Sequence, residues 1–328
     1  EIKIFCSKDW SLDSARDKTS YELLDTGEGE KLEKFGSYIF ARPCEDAVWP
    51  KTLTKEAWAK ADGKFWSSKV GAKAGWKMSK MPFDKKWEME YRGIKFLASP
   101  TPFRHLGFFP EQASHWDFIE EKIKKANLAK DFLETAPSET RGQGTHTFLK
   151  NPLPNSPKVK FLNLFGYTGV ASLFALRAGA EVTHLDASKQ TLNWAKENQK
   201  LSGLEDMPMR VIEDDAIKFL EREAKRGNKY DAIIMDPPKF GRGPKGEVWK
   251  IEEMLPKLLS SVQKVLSNKP LFVIVTSYAI DSSSLSLGYA LEEMMKEFGG
   301  QTETGELCVL EKSNNRIIPL ANTALWSV

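Results

Sequence analysis

From Val159 onward, short apolar runs alternate with segments whose apolar residues recur at helical spacing. The runs "VKFLNLF", "EVTHLDA", "MRVIED", "YDAIIMD" and "LFVIVTSY" predict strands. Helices are expected between and after them: from Thr168, through "LNWAKENQKL", through "AIKFLEREAK", around "EEMLPKLLSSVQKVL" and through "ALEEMMKEF". This alternation implies an α/β fold with a mostly parallel sheet and helices on both faces. The tail departs from it, because "ELCVLEK" and "ANTALWSV" have no helix between them and must pair antiparallel or by a hairpin. Upstream, Gly, Pro and Asp break the chain into short segments. "FGSYIFARP" reads as a strand and "EMEYRGIKFLAS" as a hairpin turning at Arg92-Gly93. "SHWDFIEEKIKKA" carries helical spacing at Trp116, Ile119 and Ile123, and the Gly/Pro-rich stretch after it reads as a loop. Three parts are expected: a small β-rich domain over residues 1–98, a connecting segment and loop over 99–158 that packs on the domain after it, and that α/β domain over 159–328.

Composition narrows the class. Hydrophobic residues make up 41% and charged residues 28%, a globular profile, and no apolar run is long enough for a membrane span. The start "EIKIFCSKDW" has no apolar signal core, so a cytoplasmic location is expected rather than export. Cys6, Cys44, Cys308 and the four histidines share no metal-ligand spacing, so reduced thiols and no metal are expected. Net charge is only +3, but Lys51 to Lys80 carries eight lysines against Glu56 and Asp62, interleaved with Trp58, Phe65, Trp66 and Trp76. That mixture suits a nucleic-acid surface. It equally suits rings in a core with lysines solvating the outside.

Candidate chemistry sits where the strands end. The first ends in "NLFGYTGVAS", where Gly166 and Gly169 permit a tight turn and a close approach to a ligand at a helix start. Neither G-x-G-x-x-G nor a P-loop is present. The second ends at Asp186, twenty positions after Gly166, placed to accept from ribose hydroxyls or to cap the following helix. The third ends in Asp214-Asp215-Ala216, with the same choice between an adenine amino group and a cap. The fourth stops at Asp236-Pro237-Pro238, whose prolines end the strand rigidly and hold the carboxylate beyond its carboxyl end. Coincident capping does not account for all four together.

"LNLFGYTGVASL", "VTHLDASKQTLNWAKENQ", "EDDAIKFL" and "DPPKFGRGPKGEVW" resemble the class I S-adenosylmethionine-dependent methyltransferases, within the branch related to the large-subunit ribosomal RNA cytosine methyltransferases. The resemblance spans Val159 to Val328 and reaches back through "TPFRHLGFFPEQ". It implies a Rossmann-like sheet of seven strands, the last antiparallel, with S-adenosylmethionine as cofactor and RNA, ribosomal RNA first, as substrate. It further implies that Phe165, Gly166, Tyr167, Thr168 and Gly169 lie against the methionine part. Asp186 with Ala187 would meet the ribose, and Asp215 with Ala216 the adenine. Asp236, which also borders the cofactor, Pro237, Pro238, Lys239 and Phe240 would form the substrate face. Phe109 and Gln112 are candidates to cover the cofactor.

The cytosine enzymes of this branch use a cysteine just beyond the fifth strand. Here that position reads Thr276-Ser277-Tyr278, so direct transfer without a covalent cysteine is expected. An amino or ring nitrogen suits such a site, with Asp236 and the Pro237 carbonyl accepting hydrogen bonds from it. Phe240 would stack on the base, and Lys239 or Arg242 would meet a phosphate. Two alternatives stand beside this reading. One is an RNA-binding protein of the same fold without activity. The other is a nicotinamide oxidoreductase, which would share the sheet and Asp186 but has no use for Asp-Pro-Pro.

Overall fold

The computed structural model describes residues 2–6, 10, 19–66, 74–135, 158–278 and 283–328, with the side chains of 130–135 set aside. Lys69, Lys73 and the loop read over 136–157 lie outside the described residues. The N-terminal part begins with β1 (Ile2–Cys6), followed by β2 (Tyr21–Gly27), β3 (Glu30–Phe35) and β4 (Tyr38–Pro43). A single turn, α1 (Lys55–Trp58), leads to β5 (Gly63–Trp66) and β6 (Gly75–Met78). β2 to β6 form one five-stranded sheet in sequence order. The hairpin β7 (Trp87–Tyr91) and β8 (Ile94–Ala98) turns where expected, with Arg92 and Gly93 at φ of 47° and 79°. Two successive positive φ values give the twist that a two-residue hairpin loop needs.

A single turn at Pro110–Gln112 opens α2 (Ala113–Thr135), and the α/β alternation follows. Its elements are β9 (Lys160–Leu164), α3 (Val170–Arg177), β10 (Glu181–Asp186), α4 (Lys189–Leu201), β11 (Met209–Glu213), α5 (Ala216–Lys225) and β12 (Ala232–Met235). A short hairpin, β13 (Phe240–Arg242) and β14 (Val248–Lys250), precedes α6 (Ile251–Gln263). The chain closes with β15 (Phe272–Ser277), α7 (Ser284–Met295), β16 (Gln301–Leu310) and β17 (Ile317–Ser327). β12 and β15 are buried at every position, as parallel strands covered on both faces must be. Ser188, Asp215 and Ser283 cap α4, α5 and α7 by accepting backbone N–H bonds.

The main sheet runs β1-β16-β17-β15-β12-β9-β10-β11 among the described residues. β17 is antiparallel to β15 and to β16, as the helix-free tail requires. The sheet holds eight strands rather than seven, because β1 leaves the N-terminal part and pairs parallel with β16. Gly305 makes that approach possible, since a Cβ there would stand 1.8 Å from the Lys3 carbonyl oxygen. One core face joins Phe161, Ile234 and Phe272 to Trp116 and Phe174, and continues into Phe35, Phe40 and Phe96 of the N-terminal part. The other buries Leu162, Ile233 and Val273 under Phe219, Leu258 and Leu291 of α5 to α7. Period-2 alternation assigns neighbours such as Ile233 and Ile234 to opposite faces.

Candidate active site

The direction of chain progression reverses between β9 and β12. β10 and β11 lie to one side of β9, while β12 and β15 lie to the other. Crevices open at the carboxyl ends of strands at such a switch point. Register brings the expected residues together there: Leu164 pairs with both Leu185 and Met235, so Phe165, Asp186 and Asp236 each follow a residue of one row. The crevice is lined by Phe165 to Gly169, by Asn163 and Asp236, and by Phe109 and Gln112 from the segment before α2.

The turn at its floor is conformationally strained. Phe165 and Tyr167 adopt φ of 58° and 52°, values that non-glycine residues rarely take and that persist only where surroundings enforce them. Gly169, at φ 86°, takes the same region without that cost. Gly166 has a different reason to be glycine: a Cβ would lie 2.3 Å from Cε1 of His184. The buried imidazole alone is thus enough to require glycine at 166, beside the expected ligand approach. His184 belongs to a chain of hydrogen bonds that the linear sequence does not reveal. Asn163 Nδ2 donates to Ser172 Oγ at 3.0 Å, Ser172 Oγ meets His184 Nδ1 at 3.0 Å, and His184 Nε2 meets the Tyr167 carbonyl at 3.3 Å. The only consistent tautomer carries the proton on Nε2. Burial pushes His184 below its usual range, so the ring is neutral. Thr168 Oγ1 donates to the Gly107 carbonyl at 2.6 Å and ties the turn to the segment above it.

On the other wall, Pro237 is buried and Pro238 accepts the Trp249 indole N–H at 2.6 Å. Trp249 also packs on Phe165, ring centroids 5.0 Å apart, so the Asp-Pro-Pro end and the first turn are braced against each other. The stretch after the prolines forms the β13–β14 hairpin. Phe240 is 64% exposed, and Arg242 two positions on is exposed too. A spacing of two in a strand places both on one side. Lys239 is half-buried between them and the prolines.

Asp236 faces a polar group assembled from three parts of the chain. Gln112 Nε2 lies 3.2 Å from the Tyr278 hydroxyl and 3.4 Å from Asp236 Oδ2, and the Phe109 ring packs on Tyr278 at 4.9 Å. Burial first, and the neighbouring Glu111 second, push the Asp236 carboxyl well above the usual range, while the Gln112 amide acts in the opposite direction. Asp236 itself stays partly open to the crevice. Glu111 and Tyr278 escaped sequence reasoning; Glu111 stands next to a flagged residue, and its burial is the signal that was lacking.

Asp186 and Asp215 stand at adjacent strand ends, outside the lining of the crevice. Asp186 Oδ1 accepts from the Ser188 N–H at 2.9 Å and the Thr191 hydroxyl at 3.0 Å, and Oδ2 from the Tyr167 N–H at 2.9 Å. Ala187 lies between Asp186 and that cap. Asp215 accepts the Lys218 N–H at 3.0 Å as the cap of α5, whose first residue is the buried Ala216. Capping thus describes Asp215, whereas α4 is capped by Ser188 and Asp186 braces that cap.

At the end of β15, Thr276 and Ser277 are buried, and Tyr278 just after them lines a cleft next to the crevice. Cys308 lies beside Cys6 within the sheet, its thiol pushed up to about 12 by burial. Cys44 lines a neighbouring cleft with Arg42, Glu111 and Tyr278, and burial raises it as well. In the basic stretch, Lys51 pairs with Glu30 at 2.7 Å, Lys64 with Glu30 at 2.6 Å and Lys80 with Asp62 at 3.4 Å. Phe65 and Trp76 pack against each other at 5.3 Å, whereas Trp66 is exposed. Among the described residues no cluster of His, Cys, Asp and Glu could hold a metal, and no helix is long and apolar enough to cross a membrane. A larger cavity, about 470 Å³, opens at the opposite, amino-terminal edge of the sheet. Its buried Glu223 already accepts from Tyr230 at 2.7 Å, Asn228 at 3.0 Å and Arg210 at 3.1 Å, so it offers a satisfied structural cluster and no strand-end crevice.

The chain is 37% identical to a solved structure described as the SAM-dependent methyltransferase from Agrobacterium tumefaciens, with a TM-score of 0.82 over 99% of this chain and 93% of that one. It belongs to the S-adenosylmethionine-dependent methyltransferases. The family model described as conserved hypothetical protein 95 matches residues 147–303. Ribosomal RNA large subunit methyltransferase K of Neisseria meningitidis serogroup B is 29% identical over 42% of this chain and 40% of its own length. Ribosomal RNA large subunit methyltransferase I of Aeromonas salmonicida is 40% identical over 25% of this chain and 21% of its own. The matches thus span less than half of these curated relatives.

Membership sets the nicotinamide alternative aside and makes S-adenosylmethionine the cofactor. The residues of this methyltransferase fit that group. The Gln112 side-chain oxygen is buried without a hydrogen-bond partner and lines the crevice, beside aromatic walls from Phe109, Phe165 and Tyr167. A ligand with an ammonium donor and an apolar body answers both features.

Proposed function

We propose that this protein transfers a methyl group from S-adenosylmethionine to RNA, ribosomal RNA first among candidates, directly and without a covalent cysteine. The observation that carries the reading is Asp236-Pro237-Pro238 at the switch point, with Asp236 lining the crevice. When bound, the cofactor supplies an electrophilic methyl group. Phe165 to Gly169 and Gln112 hold its amino-acid end in this reading. Asp186 Oδ2 accepts a ribose hydroxyl with its second lone pair, and Asp215 accepts from the adenine amino group while capping α5. Asp236 and the Pro237 carbonyl accept hydrogen bonds from the acceptor nitrogen and fix its lone pair in line, which is most of what methyl transfer asks of a protein. Phe240 stacks on the base, and Lys239 and Arg242 meet phosphate.

RNA as the acceptor is supported by the ribosomal RNA methyltransferases that the chain resembles over part of their length. The N-terminal domain contributes the exposed Lys55, Lys60 and Lys77 to RNA binding in this reading, a smaller surface than the lysine count suggests. Transfer of tritiated methyl onto total RNA and total protein, followed by nucleoside analysis, tests the function. Label in RNA nucleosides is expected, and label confined to protein overturns the choice of substrate.

A further inference from the structure

Ser277 is a polar residue to which the methyl-transfer site gives no task. It ends β15, is 1% exposed, and its hydroxyl has no hydrogen-bond partner among the described residues. Leaving a buried hydroxyl unmet is costly, so such an atom asks for an explanation. Period-2 alternation puts Ser277 on the face of Val273 and Val275, the face that α5 to α7 cover. There, at the carboxyl end of β15, a cavity of about 230 Å³ opens between the starts of α6 and α7, and Ser277 lines it.

Ile251, Leu255 and Leu287 give this cavity apolar walls, and Glu252, Ser286 and Asn322 bring polar groups to it. Pro256, also in the wall, lies inside α6 and has no N–H to give to the Glu252 carbonyl. Residue 252 therefore brings a carboxylate and a carbonyl without its usual helical partner. Lys250 gives α6 no side-chain cap, so the first-turn N–H groups, which have no partner along the helix, add donors. Among the described residues no Lys or Arg lines the cavity, which argues against a phosphate as its occupant. Apolar walls with donors and acceptors at the edge suit a flat heterocycle. A closed space of about 150 Å³ takes a benzene ring. The present cavity, at about 230 Å³, has room for one six-membered ring with its exocyclic groups.

We propose that this cavity is a subsite for an unpaired nucleobase of the RNA, adjacent to the nucleotide that accepts the methyl group, and that it favours a single-ring base with an exocyclic amino group. The inference rests on the RNA reading above and deepens it. The occupant is a neighbour of the acceptor, because cavity and crevice share no lining residue. Alternation also sets Ile234 and Asp236 on the opposite face of the sheet from Ser277. The two spaces are nevertheless close along the carboxyl edge. Met235 pairs with Val275 and Ser277 with Asn322, so Asp236 and the cavity floor are one to two strands apart, about 5–10 Å. The Ile251 N–H donates to the Lys239 carbonyl at 3.1 Å, so the chain that leaves Asp-Pro-Pro returns to the cavity wall. An RNA strand that crosses the exposed Phe240 reaches both. The amino group of the neighbouring base donates to the Glu252 carboxylate, and the Ser277 hydroxyl meets a ring carbonyl or nitrogen.

The test uses the full chain saturated with S-adenosylhomocysteine, which fills the crevice, and follows cytidine, uridine and N-acetylarginine amide by ligand-observed NMR. Cytidine should bind with a Kd of about 1–10 mM, and uridine severalfold more weakly. Ser286→Trp sets a large ring at an exposed position of the cavity and should weaken cytidine about tenfold or more. Ser277→Ala removes the orphaned hydroxyl and should weaken it severalfold. Native affinity for S-adenosylhomocysteine shows that a variant is folded, and Ser286→Trp decides the matter whether or not Ser277→Ala folds. In methyl transfer to total RNA, Ser286→Trp should raise KM for RNA about tenfold and leave kcat within severalfold, which separates lost binding from lost chemistry. No cytidine binding up to about 50 mM, or binding undiminished in Ser286→Trp, overturns the inference. So does binding of N-acetylarginine amide in place of the nucleosides, which would make the cavity a peptide site. Equal affinity for cytidine and uridine overturns the role given to the amino group. No transfer to RNA by the native chain overturns the function itself, while the cytidine titration still decides the cavity.

Discussion

Replacing Gly166 by Ala places one methyl group against the buried imidazole that supports the Phe165–Gly169 turn. The new Cβ stands 2.3 Å from His184 Cε1 and 2.5 Å from Nδ1, where ordinary contact begins at 3.4 Å. Something must move by about 1 Å, and His184 has little freedom to do so. Its two nitrogens are held by Ser172 and by the Tyr167 carbonyl. Overpacking of this kind costs about 1–3 kcal/mol. Displacing the ring also breaks two buried hydrogen bonds worth about 1 kcal/mol each. A loss of about 3–4 kcal/mol in urea-induced unfolding is therefore expected, with cofactor affinity falling in parallel because Tyr167 loses its support. The double variant Gly166→Ala/His184→Ala isolates the cause. Removing the ring relieves the overlap, so the two losses should be non-additive by about 1–3 kcal/mol. Native stability in Gly166→Ala, or strictly additive losses, would refute the claim that His184 dictates this glycine.

Asp186→Ala removes a carboxylate that braces the same turn and is proposed to meet the ribose. Calorimetric affinity for S-adenosylmethionine should fall by about 1–3 kcal/mol, and unchanged affinity would place the ribose elsewhere. Glu33 is a fully buried carboxylate; burial alone would raise it, but Arg42 at 2.7 Å, with Lys31 and Tyr21, outweighs burial and holds it at about 2. Its folded value lies below its unfolded value, so its contribution is complete above about pH 4.5 and is lost as pH falls toward 2. Native protein should lose roughly 3 kcal/mol more than Glu33→Gln between those limits, read from urea midpoints. A Cys6/Cys44/Cys308 triple Ala variant should keep native transfer activity. Trapping of a protein–RNA adduct on 5-fluorocytosine RNA would contradict direct transfer.

The sheet was legible because parallel strands covered on both faces read as continuous apolar runs; β12 and β15 are such runs. Asp236 was legible because two prolines end a buried strand in a way that few other roles require. β1 was not legible as part of that sheet, since its five residues carry no information about a partner 300 positions away. The β13–β14 hairpin was hidden by three-residue strands around Gly and Pro, which look like a loop. Gly166 has a second reason to be glycine that was not legible, because His184 is not its neighbour in sequence. Gln112 and Tyr278 meet across 166 residues of sequence. No local pattern encodes that contact.

The most direct measurement is single-turnover transfer of tritiated methyl from S-adenosylmethionine to total RNA by the native chain and by Asp236→Ala, with cofactor affinity measured on both. Asp236 orients the acceptor in the proposed reading, so its loss should appear in the transfer rate, by about a hundredfold or more, with cofactor affinity within severalfold of native. Labelled RNA from the native chain with this loss in the variant is the expected result. Equal rates in the two proteins, or no label in RNA from the native chain, would contradict it.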